Sequence, residues 1–152
     1  MYNIFSVINN RKLYILLLLF FLMPSIEEHQ KIVKELIDDI EEKIRLGLVV
    51  QRQKIIGFAV SEAATNLFAI FLHEHLLIPP GFHVNHSFFA SEKRSENTFS
   101  FAFNHKEDIL KKLVRIEELR NRLCYGRDKE AREAEEAIEL LFALQKLLEE
   151  KM

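Results

Sequence analysis

Residues 49–75 read VVQRQKIIGFAVSEAATNLFAIFLHEH, and the fold follows from them. Wound as a helix, the stretch carries Ile56, Val60, Ala63, Leu67 and Phe71 on one side, while Ile55, Phe58, Phe68 and Ile70 fill most of the rest. A surface helix keeps a broad polar face. One that is apolar around most of its circumference belongs in the middle of other helices. Gly47 precedes the stretch as a break, and Pro79-Pro80-Gly81 ends it, since proline has no amide to donate and clashes with the preceding turn.

The flanking segments supply the surrounding helices. Ser25 followed by Glu28 is a capping box, after which Val33, Leu36, Ile37, Ile40 and Ile44 give the stripe of an amphipathic helix. Residues 82–104 are less regular. Phe88 and Phe89 suit a short helix, and Phe99, Phe101 and Phe103 alternate with small or polar residues as an extended segment does. A single strand cannot satisfy its own backbone, so this segment is expected to be a connector that packs phenylalanines onto the bundle. Asn104 with Glu107 forms a second expected capping box, opening a helix that runs to about Tyr125 with Gly126 as its C-cap. Asp128 is expected to cap a last helix, with Ala134, Ile138, Leu141 and Leu148 along one face. The expected architecture is all-α: an up-and-down bundle of four to five helices.

Composition agrees with one domain over residues 23–152. A chain of 152 residues with 49% hydrophobic content, but only four glycines and three prolines, has little punctuation for a many-turned β fold. The net charge of -2 argues against holding nucleic acid by bulk electrostatics alone, while leaving room for a local basic cluster. Cys124 is the one cysteine, which excludes an intramolecular disulfide and a cysteine-based zinc site and suits a reducing cytoplasm.

Residues 1–22 form an apolar extension. Arg11-Lys12 precede an unbroken apolar run from Leu13 to Met23, shorter than the ~20 residues that span a membrane. No small-x-small cleavage site follows it, so a signal peptide is one reading and translation starting at Met23 is the favoured one. The first 22 residues hold two cations and no acid, so a start at Met23 moves the charge from -2 to -4. No membrane association is expected unless residues 1–22 are retained.

Chemistry concentrates in ELRNRLCYGR, residues 118–127. Ile109, Leu113, Ile116 and Leu123 are spaced by alternating fours and threes, and the vacant place in that series is Arg120. The guanidinium is therefore expected on an apolar seam. Desolvation costs it several kcal/mol without an anionic partner, so an acid or a phosphate should meet it. Glu62, on the central helix, is one candidate for that partner. The alternative is an arginine whose stem packs while its head reaches water or a local glutamate.

This string resembles the Arg-Asn-x-x-x-His signature of the HEPN family of helical bundles. Arg120 and Asn121 match the family's arginine and the polar residue after it, Gly126 matches a glycine often found just past the histidine, and Tyr125 stands where the histidine should be. Helix order and the short spacing between motif and last helix extend the resemblance over most of the chain after Met23. It implies a homodimer formed through the motif helix, with arginines from both copies lining an RNA- or nucleotide-facing groove. It also implies metal-independent RNA cleavage when the histidine is present, and in some members a nucleotidyltransferase partner in a toxin–antitoxin pair. A partner-modified tyrosine found in some relatives would fall on Arg127, so that feature is not expected. A phenol with a reference pKa near 10 is a poor proton acceptor at neutral pH compared with an imidazole near 6.5.

Three functions follow. The first is a HEPN-like binding or regulatory module with nuclease activity altered or lost. The second is a metal-independent ribonuclease using Arg120, Asn121 and Tyr125. The third is a structural helical dimer with no nucleic-acid role. Arg120, Arg122 and Arg127 are the candidate phosphate contacts, with Glu62 in support, and neither metal nor cofactor is expected. His73 and His75 lie two apart on a helix and so point away from each other; His83 and His86 read as loop residues facing solvent. Glu62, Asn66 and His73 make a polar strip along the central helix, and Cys124 reads as a small packed side chain, with a thiolate favoured by neighbouring arginines as the rival.

Overall fold

A computed structural model describes residues 11–15, 17–18 and 25–150. Residues 11–15, 17 and 18 of the apolar extension are helical with exposed side chains; the rest of that extension, and with it the question of the start, lies outside the described residues. Beyond it run α1 (Ile26–Arg45), α2 (Gln53–Glu74), a 3-10 turn (His86–Phe89), α3 (Glu92–Thr98), α4 (Lys106–Cys124) and α5 (Ala131–Glu149). No strand occurs among the described residues. The chain is an all-α bundle.

Helix α1 begins as its sequence requires. Ser25 accepts from the Glu28 amide at 3.2 Å, and the Glu28 carboxylate accepts from the Ser25 amide at 2.7 Å. It ends in a Schellman motif on Gly47 (φ 65°), in which the Leu48 amide reaches the Lys43 carbonyl and the Gly47 amide reaches Ile44. Helix α2 starts at Gln53, four residues later than its apolar pattern suggested. It closes at Glu74, before the prolines, through the same motif: Leu77 donates to the Leu72 carbonyl and Leu76 to His73, with Leu76 in the left-handed region at φ 53°.

Two expected caps are not used. His105, at φ 55° and with no side-chain capping bond, precedes α4 in place of the Asn104–Glu107 box. Glu130 precedes α5, and Asp128 lies two residues before Glu130, facing Lys54 at 3.8 Å. Gln53 fixes that connection from α2: its Oε1 accepts from the Lys129 amide at 2.6 Å and its Nε2 donates to the Lys129 carbonyl at 3.2 Å. A cap residue is chosen by where the chain must turn, and before α5 the Gln53 side chain already holds the Lys129 backbone. Gly126 has the positive φ of a C-cap glycine (81°), but Tyr125 before it is extended rather than helical.

Helix α2 is the axis of the bundle and touches α1, α4, α5 and the 3-10 turn. It is antiparallel to α4, pairing Gly57 with Leu123 and Ser61 with Glu117. Helices α4 and α5 are antiparallel as well, joined by Arg115–Glu136 and Arg122–Glu133. By contrast α1 packs on α2 alone among the described helices. A cleft of ≈ 570 Å³ separates α1 from the end of α5, with Leu67 and Phe71 of α2 among its walls.

The connector between α2 and α4 behaves as expected at its end and not at its middle. Phe99 is fully buried, edge-on to Phe68 at 5.1 Å and stacked on Phe89 at 5.7 Å, so the phenylalanines do pack onto the bundle. Before it, however, lies α3, seven residues capped by Ser91. Its polar sequence has no apolar stripe to announce it.

Candidate functional site

The C-terminal half of α4 carries the site. Ile109, Leu113, Ile116 and Leu123 are all at most 2% exposed, and the Arg120 side chain between them is only 12% exposed, as the seam required. Its anionic neighbour is Glu117, one turn earlier on the same helix, with Nη1 3.7 Å from Oε1. Glu62 forms no ion pair among the described residues; it sits on α2 beside Ser61, and its backbone carbonyl accepts from Asn66 at 2.7 Å. The pairing of Glu62 with Arg120 is therefore corrected to Glu117 with Arg120. A residue three positions away on one helix is already in reach.

Glu117 is the local glutamate that the alternative reading of Arg120 allowed for, but its burial and its other partners were not foreseen. At 5% exposure its carboxylate is buried, and four groups converge on it. His86 Nδ1 lies 3.0 Å from Oε1, Asn121 Nδ2 lies 3.5 Å from the same oxygen, Ser61 Oγ donates to Oε2 at 3.3 Å, and Arg120 supplies the charge. An anion taken out of water needs such an arrangement to be tolerated. Part of the signal was legible: Leu110, Val114 and Glu117 form a second buried stripe at spacings of four and three, and Glu117 is its polar member. The arrival of His86 was not. It comes from the 3-10 turn, where Asn85 caps the Ser87 amide at 2.8 Å and Phe89 is buried.

The arginine remains incompletely satisfied. Nε of Arg120 is buried with no hydrogen-bond partner among the described residues. Such an orphan donor is uncommon in a folded interior and has a recognisable cost.

The other candidates separate. Arg122 turns to α5 and pairs with Glu133, so it leaves the Arg120 side. Tyr125 is 63% exposed and makes no hydrogen bond to Arg120 or Glu117, while Arg127 is exposed in the connection to α5. Of the six candidate side chains, Arg120 and Asn121 alone come together.

Cys124 donates to the Lys54 carbonyl at 3.3 Å, and burial pushes its thiol above the ordinary value, with Arg120 only partly opposing. The thiolate reading is overturned, since desolvation outweighs the nearby cation. His75 reaches the Phe71 carbonyl and His73 stacks on His29, so the two histidines do part company. Among the described residues no three of His, Cys, Asp and Glu gather as metal donors.

Compared with known protein families, with curated proteins and with solved structures, the chain finds no match.

Proposed function

We propose that this protein is a HEPN-like module that associates with RNA or a nucleotide, using Arg120 as its phosphate contact. The observation that carries the reading is the state of that guanidinium. It is held on an apolar seam, with Nε unpartnered and its nearest anion at the loose distance of 3.7 Å among the described residues. A phosphate at the exposed part of that side chain would add the charge-assisted bond that the loose Glu117 contact does not supply. Asn121 stands beside it on the exposed side of the helix. Tyr125 in the histidine's place leaves motif-based cleavage altered or lost.

A homodimer through α4 belongs to the same proposal. Ile55 and Phe58 of α2 are 45% and 49% exposed, and Phe58 lies in register between Lys54 and Ser61, which both touch α4. These side chains on α2, and Tyr125 just past the end of α4, are exposed apolar surface that in this proposal a second copy covers. A nucleotidyltransferase encoded next to this chain would be the natural partner to test by co-purification.

Fluorescence anisotropy of a labelled single-stranded RNA, in chelator and at two salt concentrations, tests the phosphate contact. Wild type should bind, and Arg120→Gln, which keeps donors for Glu117, should weaken binding by about tenfold or more. Equal affinity of the two proteins, or no binding by either, removes the reading.

A further inference from the structure

The cleft of ≈ 570 Å³ has walls from three helices and stands open among the described residues. Val33 and Ile37 lie four apart on α1, Leu67, Ile70 and Phe71 lie three and four apart on α2, and Leu148 of α5 closes the third side. Both α1 and α2 thus turn a continuous apolar face into one space, as helices do around a further helix. In a chain that begins at Met1, we infer that residues 11–23 fold back along α1 and seat one face in this cleft as an added helix of the bundle. The seat is at the opposite end of α2 from Arg120, since Gly57 is the part of α2 that meets Leu123.

Two uncovered apolar surfaces occur in the same chain. Leu13, Tyr14, Ile15, Leu17 and Leu18 are helical and between 48% and 69% exposed. Ile37, Leu67, Ile70 and Leu148 are only half-buried in the cleft wall. Removing apolar surface from water drives the two together. A bilayer offers the run from Leu13 to Met23 a poorer place, because it falls short of the ~20 residues that span one.

The connection allows the return. Pro24 disfavours helical geometry at Met23, and Ser25 is extended at ψ 164° as the N-cap of α1, so a turn separates the segment from α1. Helices joined by so few residues lie side by side and antiparallel. Residues 11–23 wound as a helix reach about 18 Å back along α1, the same length as Ile26 to Asp38. The α1 wall of the cleft runs from Gln30 to Asp38, within that reach.

Charge fits the same occupant. Asp38, Glu74, Glu149 and Glu150 are exposed around the cleft, against Lys34 as the one lysine or arginine there. The segment brings Arg11 and Lys12 and no acid. Antiparallel register carries that basic pair to the level of Asp38, and leaves the apolar run beside the apolar walls.

Hydrogen exchange read by mass spectrometry on the full chain, beside a chain begun at Met23, tests the docking. Amides of residues 13–23 should exchange about 100-fold more slowly than in an unstructured chain, and α1 should exchange more slowly in the full chain than in the shorter one. Leu67→Glu puts a carboxylate on the apolar floor, and should release residues 13–23 while α4 and α5 stay protected. Should that variant unfold, the exposed double change Glu74→Lys with Glu149→Lys decides, with an expected loss of protection of about tenfold in the segment. Exchange of residues 13–23 at the unstructured rate overturns the inference, as does protection that ignores both variants. Protection lost on dilution assigns the cleft to the segment of a second copy, and protection seen only with phosphatidylcholine vesicles assigns the segment to a lipid surface; either result overturns docking within one chain.

Discussion

Gly57 sits where α2 and α4 come closest. A Cβ at this position would lie 2.8 Å from Cβ of Leu123 and 3.3 Å from Sγ of Cys124. Alanine in mid-helix normally gains about 1 kcal/mol over glycine, so helix propensity alone favours Gly57→Ala. The clash is with a Cβ that cannot swing away, and overpacking of this kind costs about 1–3 kcal/mol. We expect net destabilisation, read as a lower urea midpoint at unchanged slope; a variant as stable as wild type would mean that the two helices part freely. The same close approach seats Leu123 and Cys124 against α2 and so holds the Arg120 end of α4 in place. Leu76 offers the opposite case. It is 89% exposed and held at φ 53°, a conformation that costs a leucine about 1 kcal/mol or more and glycine little. Leu76→Gly should raise stability by about 1 kcal/mol, and a lower thermal midpoint would contradict the strain argument.

At the scale of elements, α1 is fastened to α2 by a polar pair in an otherwise apolar contact. His29, 7% exposed, meets Asn66 Oδ1 at 2.6 Å and stacks on His73 with ring centres 6.1 Å apart. Burial, and then the charge of His29, push the His73 imidazole below its ordinary 6.5. The sign follows directly. A base whose folded value is depressed stays neutral in the native state while the unfolded chain takes up protons, so stability is full above pH 6.5. It falls as pH drops below that value and levels off once the folded group also protonates. Thermal midpoints at pH 7.5 and 5.5 should therefore diverge, and His73→Gln should reduce the gap; an unchanged gap would place the acid sensitivity elsewhere. Gln53 is the corresponding fastener at the other end of α2. Gln53→Ala removes both bonds to Lys129, so the connection of residues 125–130 should exchange its amides faster while α4 keeps its protection.

For the whole molecule, the uneven packing of α2 sets which parts open first. Among the described helices, α2, α4 and α5 contact one another mutually, whereas α1 contacts α2 alone. Native-state hydrogen exchange should show α1 opening at lower free energy than α4 and α5, and uniform protection across the four helices would refute that hierarchy. The exposed Ile55, Phe58 and Tyr125 make the second whole-molecule prediction. Sedimentation at micromolar concentration should show a dimer for wild type and a monomer for Phe58→Glu, since a carboxylate placed in an apolar contact loses its hydration. A wild-type monomer would remove the shared groove, although the His86–Glu117–Arg120 cluster, built within one chain, would stand.

Periodicity carried the sequence a long way. The all-round apolar character of residues 49–75 gave the central helix, the Ser25–Glu28 box gave the start of α1, and the alternating spacing in α4 put Arg120 on a buried seam. Each is a local property: burial repeats along the chain with the helical turn, so it can be read in one dimension. Caps were less legible, because His105 and Glu130 were selected by the path the chain must follow between packed helices and not by their own hydrogen-bonding power. The partners that reach Glu117 from other elements were decided by tertiary structure alone. His86 and Glu117 are 31 residues apart, and Ser61 and Glu117 are 56 apart. Which of several histidines meets a buried carboxylate depends on how loops close and which helix faces dock, and no spacing within a helix encodes that. The sequence by itself determined the helices, the burial of Arg120 and the reach of Glu117 one turn before it; only the packed bundle decided that the Glu117 carboxylate is buried and that His86 and Ser61 meet it.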